Sequence, residues 1–413
     1  MKIISIVTSY PRNEKDVLIP WIIKLIQLLK KDDVETEVFT SSYCGIKDEV
    51  CDEIRVRRFR YFFKKWEKLS HDMSVPEKLK SNPFYFLILP FFMFFGFVAA
   101  YRFGKKNDFE IIHVHFPFPL AIFGIAMKFA SKKPMIVSCH GSEVNMAKRN
   151  PVFRLLFRFM MRYAEIITVN STFMKKEVLK IIENRQIEVI PMGSGIGAVK
   201  LKEMKNKKGD KTKILYVGRL IECKGVKYLI DAFKTLDSEK YELHIVGDGP
   251  ERERLEEYTL SQLCCQLPKI GSPNLCPPVS GGLRGYIHFH GYLSGIDLEK
   301  MYKDASVFVL PSIIDGGGYT EGLGTVLIEA ILYGVPVIGS NVGGIPDIIV
   351  DGETGILVPE KDPKAIAEAI KNIVDNVDMT EKLVTQAKEV IADRFSWKTI
   401  TNKFYSLYKK LSL

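Results

Sequence analysis

Val307–Leu310 is a run of four apolar residues with no polar member, and a second such run, Val335–Ile338, follows after a loop and a helix-length segment. Strands that are apolar on both faces must be covered on both faces, and a helix between two of them gives the crossover of a parallel sheet. This one stretch, Val307 to Pro346, therefore commits the chain to an α/β architecture. Its loop, Ser312 to Gly322, is polar and glycine-rich, and Gly324 to Tyr333 reads as a helix with Gly334 placed to end it. A loop at a helix N-terminus meets unpaired N–H groups and partial positive charge, a setting that attracts phosphate. Gly322 and Gly324 place no Cβ in the way of a bulky anion. Glu321 and Glu329 bracket the loop with seven residues between them. Carboxylates so close to a phosphate would repel it, so they are expected to accept hydrogen bonds from sugar and ribose hydroxyls instead. A diphosphate flanked by two polyols is a nucleotide-sugar. The competing reading is an ordinary βαβ unit with one surface glutamate and one helical glutamate of no consequence.

The same pattern runs through the rest of the chain. Lys2 to Ser9, Glu37 to Thr40, Glu110 to His115, Met135 to Ser138, Ile166 to Val169 and Glu188 to Ile190 read as buried strands of a first domain with six or seven strands. The turn after the first strand, TSYPRNEKD, holds no glycine, which argues against a dinucleotide-binding dehydrogenase. Gly193 to Lys213 ends in a lysine-rich run and marks the junction, so the domains are 1–200 and 201–394. Ile214 to Val217, Leu243 to Val246 and Tyr286 to Gly291 restart the pattern. Met379 to Ile391 and Trp397 to Leu411 are the closing helices, the last with Ile400, Phe404, Leu407 and Leu411 on one docking face. His140, in Cys139-His140-Gly141-Ser142-Glu143, follows a strand end, where functional groups of open α/β sheets gather. His113 and His115 are read as pointing to opposite sides of their strand, and a buried core histidine is the default for His115.

The formal charge of +10 calls for an anionic partner. No zinc finger or ribonucleoprotein motif accompanies it, so an anionic substrate or membrane surface is expected rather than nucleic acid. Arg55 to Ser70 mixes cations with Phe, Tyr and Trp, which suits either a membrane interface or a solvated edge strand. Phe84 to Ala100 is the most apolar segment; its length and Pro90 argue against a span, leaving a buried or an interfacial helix. The seven cysteines are scattered, and with no secretory signal in view a cytoplasmic setting is expected. Gln262 to Gly285 has no period and reads as an inserted loop.

Seven segments in one order resemble the large retaining glycosyltransferase family called group 1 or family 4: YVGRLIECKGVKYLIDAF, HIVGDGPERERLEEY, HFHGYLS, VFVLPS, EGLGTVLIEA, GVPVIGSNVGGIPDII and DGETGILVPEKDP. That resemblance implies two facing Rossmann-like, doubly wound domains (the GT-B type). The first would bind the acceptor and the second the donor, with 395–413 docking back on the first. It implies that Glu321 contacts the transferred sugar, Glu329 the ribose, and the amides of Gly322, Leu323, Gly324 and Thr325 the diphosphate. Arg219, beside Gly218, and Lys224 would hold that diphosphate, His140 would lie near the sugar, and Tyr292 and Leu293 near the base. The implied donor is a UDP-, GDP- or ADP-sugar with no metal or other cofactor; no D-x-D occurs in the chain. The implied acceptor is a glycan or lipid-linked oligosaccharide at the cytosolic membrane face, with acidic lipid met through Arg55 to Ala100. A nucleotide-sugar epimerase and a non-catalytic membrane scaffold are the alternatives on this architecture. One departure is Arg12-Asn13-Glu14-Lys15-Asp16, which stands where the family has a Gly-Gly loop.

Overall fold

The computed structural model describes every residue except 13–15, 17, 52, 73–74, 184, 195–210, 265–285 and 413. The middle of the loop after the first strand, most of the junction segment and nearly all of the Gln262–Gly285 stretch therefore lie outside the described residues. The chain divides into two compact units, Met1–Gly195 with Ser396–Leu413, and Ile196–Phe395.

The first unit runs β1 (Lys2–Ile6), α1 (Pro20–Lys30), β2 (Glu35–Ser41), β3 (Glu49–Cys51), β4 (Ile54–Phe59), α2 (Val75–Ser81), α3 (Tyr85–Lys106), β5 (Ile111–His115), α4 (Pro117–Ser131), β6 (Met135–Cys139), α5 (Ser142–Arg149), α6 (Pro151–Met161), β7 (Ile166–Val169), α7 (Thr172–Leu179) and β8 (Ile187–Val189). Its sheet has eight strands in the order β3-β4-β2-β1-β5-β6-β7-β8, parallel except for β3. Alternate residues of each central strand feed opposite faces. Ile4, Ile112 and Val137 join the core under α3 and α4, while Ile3, Ile111 and Ile136 join the one beneath the chain's last helix.

The second unit runs β9 (Thr212–Val217), α8 (Val226–Phe233), β10 (Tyr241–Val246), α9 (Arg252–Cys264), β11 (Ile287–Gly291), α10 (Gly295–Asp304), β12 (Val307–Leu310), α11 (Thr325–Leu332), β13 (Val337–Ser340), β14 (Ile356–Val358), α12 (Pro363–Asp375) and α13 (Val377–Arg394). All six strands are parallel, in the order β11-β10-β9-β12-β13-β14. Both units are doubly wound, as expected. The last helix, α14 (Trp397–Ser412), packs on the first unit through Ile400, Phe404 and Tyr408. Its Trp397 indole N–H donates to the Ser194 carbonyl at 3.0 Å.

Three expectations are corrected. The first sheet has eight strands, not six or seven, because β4 is an internal strand shielded by the short antiparallel β3. Its arginines are paired: the exposed Arg55 and half-buried Arg57 reach the buried Glu37 carboxylate at 3.0 and 3.3 Å, and the buried Arg58 reaches Glu49 at 2.7 Å. Helix α3 passes through Pro90 without interruption and is 22 residues long, about 33 Å at 1.5 Å per residue. By length and composition it is able to cross a bilayer, against the expectation from length. It nevertheless gives one stripe, Ile88, Phe92, Gly96, Ala100 and Gly104, to the core of the first unit.

Candidate active site

In the second unit the loops leaving β9, β12 and β13 meet at the carboxyl ends of their strands, where parallel sheets place their ligands. Residues Glu222–Lys224 form one short helical turn after β9. The Ile313 N–H donates to the Cys223 carbonyl at 2.8 Å and ties that turn to the loop after β12. This tie brings Lys224 to Glu321: the ammonium donates to the Glu321 carboxylate, with both side chains largely buried. Arg219 leaves β9 beside Gly218 with its side chain exposed, and its carbonyl accepts the hydroxyl of the buried Tyr216 at 3.1 Å.

Helix α11 begins at Thr325, after Gly324 at φ +88°, and no side chain caps it. The Leu327 N–H donates to the Gly324 carbonyl at 2.9 Å, which leaves the Thr325 and Val326 amides at the helix start to face an anion. Leu323 is 2% exposed, so its side chain anchors the loop in the core while its backbone stays at the rim. Across the loop, the Gly344 N–H donates to the Glu321 carbonyl at 3.0 Å. A Cβ on Gly344 would stand 2.2 Å from the Gly322 carbonyl oxygen, so only glycine fits that contact. The glycine pair after β13 is thus a backbone brace for Glu321 and Gly322, a role its sequence position did not reveal.

Glu329 lies one helical turn further along α11. Its carboxylate accepts the Tyr302 hydroxyl at 2.9 Å, and Tyr302 is fully buried and stacked on Tyr333 at 5.3 Å. Burial raises the Glu329 pKa, and the Tyr302 hydrogen bond opposes that rise. Tyr302 is a second residue that spacing alone did not single out. Tyr292 and Leu293 leave the outermost strand β11; Tyr292 is 74% exposed, and β10 and β9 separate that strand from β12. The structure thus joins Lys224 to Glu321 and leaves Tyr292 and Leu293 apart from them.

His140 belongs to the first unit, at the end of β6. It is enclosed by Phe116, Trp21 and His115, with ring centroids 4.3, 4.8 and 5.6 Å away. Burial lowers its pKa to about 3, so the ring is neutral. Its Nδ1 has no hydrogen-bond partner, and the same is true of Asn170 Oδ1 at the end of β7. Both residues line one small cavity with Trp21 and Met192. The buried Glu143 accepts from the backbone N–H groups of His140 and Gly141 and holds the His140 turn in place. His113 and His115 share one face of β5, not opposite faces, with rings 4.0 Å apart. Residues two apart on a strand point the same way, which is why the two rings do not diverge as expected. His113 is a satisfied core histidine, bonded to Tyr408 Oη at 2.8 Å and Ser138 Oγ at 2.7 Å.

The first unit also exposes apolar surface on two helices. Phe86, Leu87, Phe91, Phe94, Phe95, Phe97 and Tyr101 stand out from α3. Helix α6 exposes Val152, Leu155, Leu156 and Phe159, spaced i, i+3, i+4 and i+7 on one face. Both helices pack on α4.

Residues 211–376 match the family model described as glycosyl transferases group 1, and residues 21–194 match that described as glycosyltransferase family 4. The chain is 26% identical over 319 residues to an uncharacterized glycosyltransferase of Methanocaldococcus jannaschii, covering 76% of this chain and 80% of that protein. Among solved structures it resembles a sucrose-phosphate synthase of Thermosynechococcus elongatus, with a TM-score of 0.72 at 22% identity over 99% of this chain and 98% of that one. It also resembles Anabaena HepE in complex with UDP-glucose, with a TM-score of 0.69 at 16% identity over the whole of both chains. At such identities these structures speak to the fold alone.

Proposed function

The chain belongs to the group 1 and family 4 glycosyltransferases, enzymes of the GT-B type that use nucleotide-sugars, and from there we propose the finer reading. It moves a hexosyl unit from a nucleoside-diphosphate sugar to a glycan or lipid-linked acceptor, with retention and without a metal. The acceptor lies at the cytosolic face of the membrane. The observation that carries this reading is the Lys224–Glu321 pair beside the uncapped N-terminus of α11.

In the transfer, the bond from the anomeric carbon to the β-phosphate oxygen breaks, and its electron pair leaves with the nucleoside diphosphate. The acceptor oxygen bonds to the same face of that carbon and gives its proton to a leaving phosphate oxygen. Charge grows on the diphosphate as the bond breaks, so groups placed against it favour the transition state over the ground state. Lys224, Arg219 and the first-turn amides of α11 supply that charge in place of a metal. Glu321 orients the sugar through its hydroxyls and keeps Lys224 in position. Glu329, held by Tyr302, takes the ribose. His140 and Asn170 offer their unpartnered atoms to a sugar hydroxyl.

Lys224→Met tests this. Expected is a fall in kcat of about two to three orders of magnitude at saturating donor, comparable to losing one oxyanion donor, with a smaller change in KM. A folded variant that keeps kcat within a few-fold of wild type refutes the assignment.

The membrane part of the proposal rests on the exposed faces of α3 and α6, since contiguous exposed apolar surface of this kind marks an interaction site. Lys105 and Lys106 end α3, and Lys148 and Arg149 end α5 just before α6, which places cations beside that surface. Sedimentation with phosphatidylserine-containing vesicles tests it. Binding should weaken from low to high salt and fall further in Phe94→Ser or Leu155→Ser, and absence of binding at low salt refutes it.

A further inference from the structure

Three of the chain's seven histidines, His244, His288 and His290, gather on the outer two strands of the second unit, and the proposed transfer uses none of them. In the parallel ladder of β10 and β11, His244 is paired with His288. Glu242 lies two residues before His244, and His290 two after His288, so all four side chains project from one face. The candidate ligand atoms of Glu242, His244 and His288 lie within 4.8 Å of one another. His244 Nδ1 is 2.9 Å from His290 Nε2. His244 Nε2 is buried, and it sits 3.1 Å from Glu242 Oε1 without a hydrogen bond between them.

We propose that Glu242, His244 and His288 form a binding site for a divalent transition metal of the Zn2+ class, with His290 as its positioning residue. Two imidazoles and a carboxylate are a borderline donor set, suited to Zn2+, Co2+, Ni2+ or Cu2+ rather than to Mg2+ or Ca2+. Ligands at about 2.0–2.1 Å in tetrahedral array stand about 3.3 Å from one another, close to the separation of Glu242 Oε1 and His244 Nε2. Small side-chain rotations bring His288 to the same distance, and the fourth position is left to water. When His244 Nδ1–H donates to His290, the Nε2 lone pair faces the centre, so His290 fixes the tautomer as an outer-shell hydrogen-bond acceptor does at a metal-bound histidine. Lys213 Nζ, 3.7 Å from Glu242, neutralises the carboxylate when the metal is away and is the group it must displace.

The site has a structural consequence. Among the described residues β11 is the outermost strand and pairs with β10 alone, so a metal held by both strands would clip the edge of the sheet to β10. A ligand of the folded state alone raises the unfolding midpoint.

The test uses the full chain, stripped of metal with a chelator and titrated with Co2+ alone while the visible d–d absorption of tetrahedral cobalt is followed. Saturation at one equivalent is expected, with Zn2+ displacing the signal and raising the thermal midpoint. His288→Gln and Glu242→Gln should each weaken Co2+ binding by about tenfold or more, and His290→Gln by about tenfold. All three changes lie on the sheet's outer strands, away from Glu321. Overturning results are a native chain with no saturable absorption, no midpoint rise with Zn2+, or variants that bind as tightly as the native chain.

Discussion

Gly344→Ala is a change far from any charge whose effect follows from one contact. The new Cβ would stand 2.2 Å from the Gly322 carbonyl oxygen and 2.8 Å from Leu323 Cα. An ordinary carbon–oxygen contact is about 3.3 Å, so the two backbones must part by about 1.1 Å. Neither neighbour is a flexible side-chain end. The Gly344 N–H also holds the Glu321 carbonyl, so Glu321 and the start of α11 move with the loop. Overpacking of this kind costs about 1–3 kcal/mol of stability, a fall of a few degrees in a unit of this size. The effect on transfer is larger, because a shift of about 1 Å in a positioning group lowers rate by about a hundredfold. The assay measures kcat/KM with purified variant over a panel of UDP-, GDP- and ADP-hexoses, with the thermal midpoint followed in parallel. Gly316→Ala is the control: it lies in the loop after β12 that carries Glu321, and a Cβ there meets nothing within 4 Å. The expected pattern is a folded Gly344→Ala with transfer down about a hundredfold and a Gly316→Ala close to wild type. Equal activity in the two variants would refute the brace and, with it, the placing of Glu321 at the reacting sugar.

Tyr408→Phe removes the hydroxyl that α14 sends to His113, and a buried nitrogen left without its partner costs about 1–3 kcal/mol in urea unfolding. A loss below about 0.5 kcal/mol would show that the C-terminal helix is held by its apolar face alone. Stability should also fall with acidification, because burial lowers the pKa of His71 and of His113 to about 3 in the folded chain. Below an unfolded pKa of about 6.5 the unfolded chain takes up protons that the folded chain refuses, so stability is lost as pH falls from there towards 3. Each histidine contributes about 1.4 kcal/mol of that loss at pH 5.5, so the thermal midpoint should drop by several degrees from pH 7.5. A midpoint unchanged over that interval would contradict the burial of both rings.

The parts of this chain that its sequence discloses are those whose cause is local. Central strands such as β7 and β12 are short, largely apolar runs because they are covered on both faces, and such a run is visible without knowing its neighbours. The Glu321 loop is visible for the same reason, since its glycines and the helix after it are contiguous. What stays hidden depends on partners that sequence separates. Arg55 and Arg57 look like the outer face of an edge strand, yet they turn to a buried carboxylate on β2, and only the sheet order reveals that Glu37 is there. Lys224 and Glu321 are 97 residues apart, and their meeting depends on the hydrogen bond that fixes Ile313 to Cys223. Tyr302 is an unremarkable aromatic of α10 until its hydroxyl is seen against Glu329. His288 and His290 carry no signal of their own in the sequence, and only the pairing of β11 with β10 brings His244 and Glu242 beside them. In each case the missing fact is a pairing across strands or loops, which burial enforces because a charged or polar side chain out of water must find a partner. The same rule reads in reverse on α3 and α6: their exposed apolar side chains are the surface on which the proposed membrane contact rests.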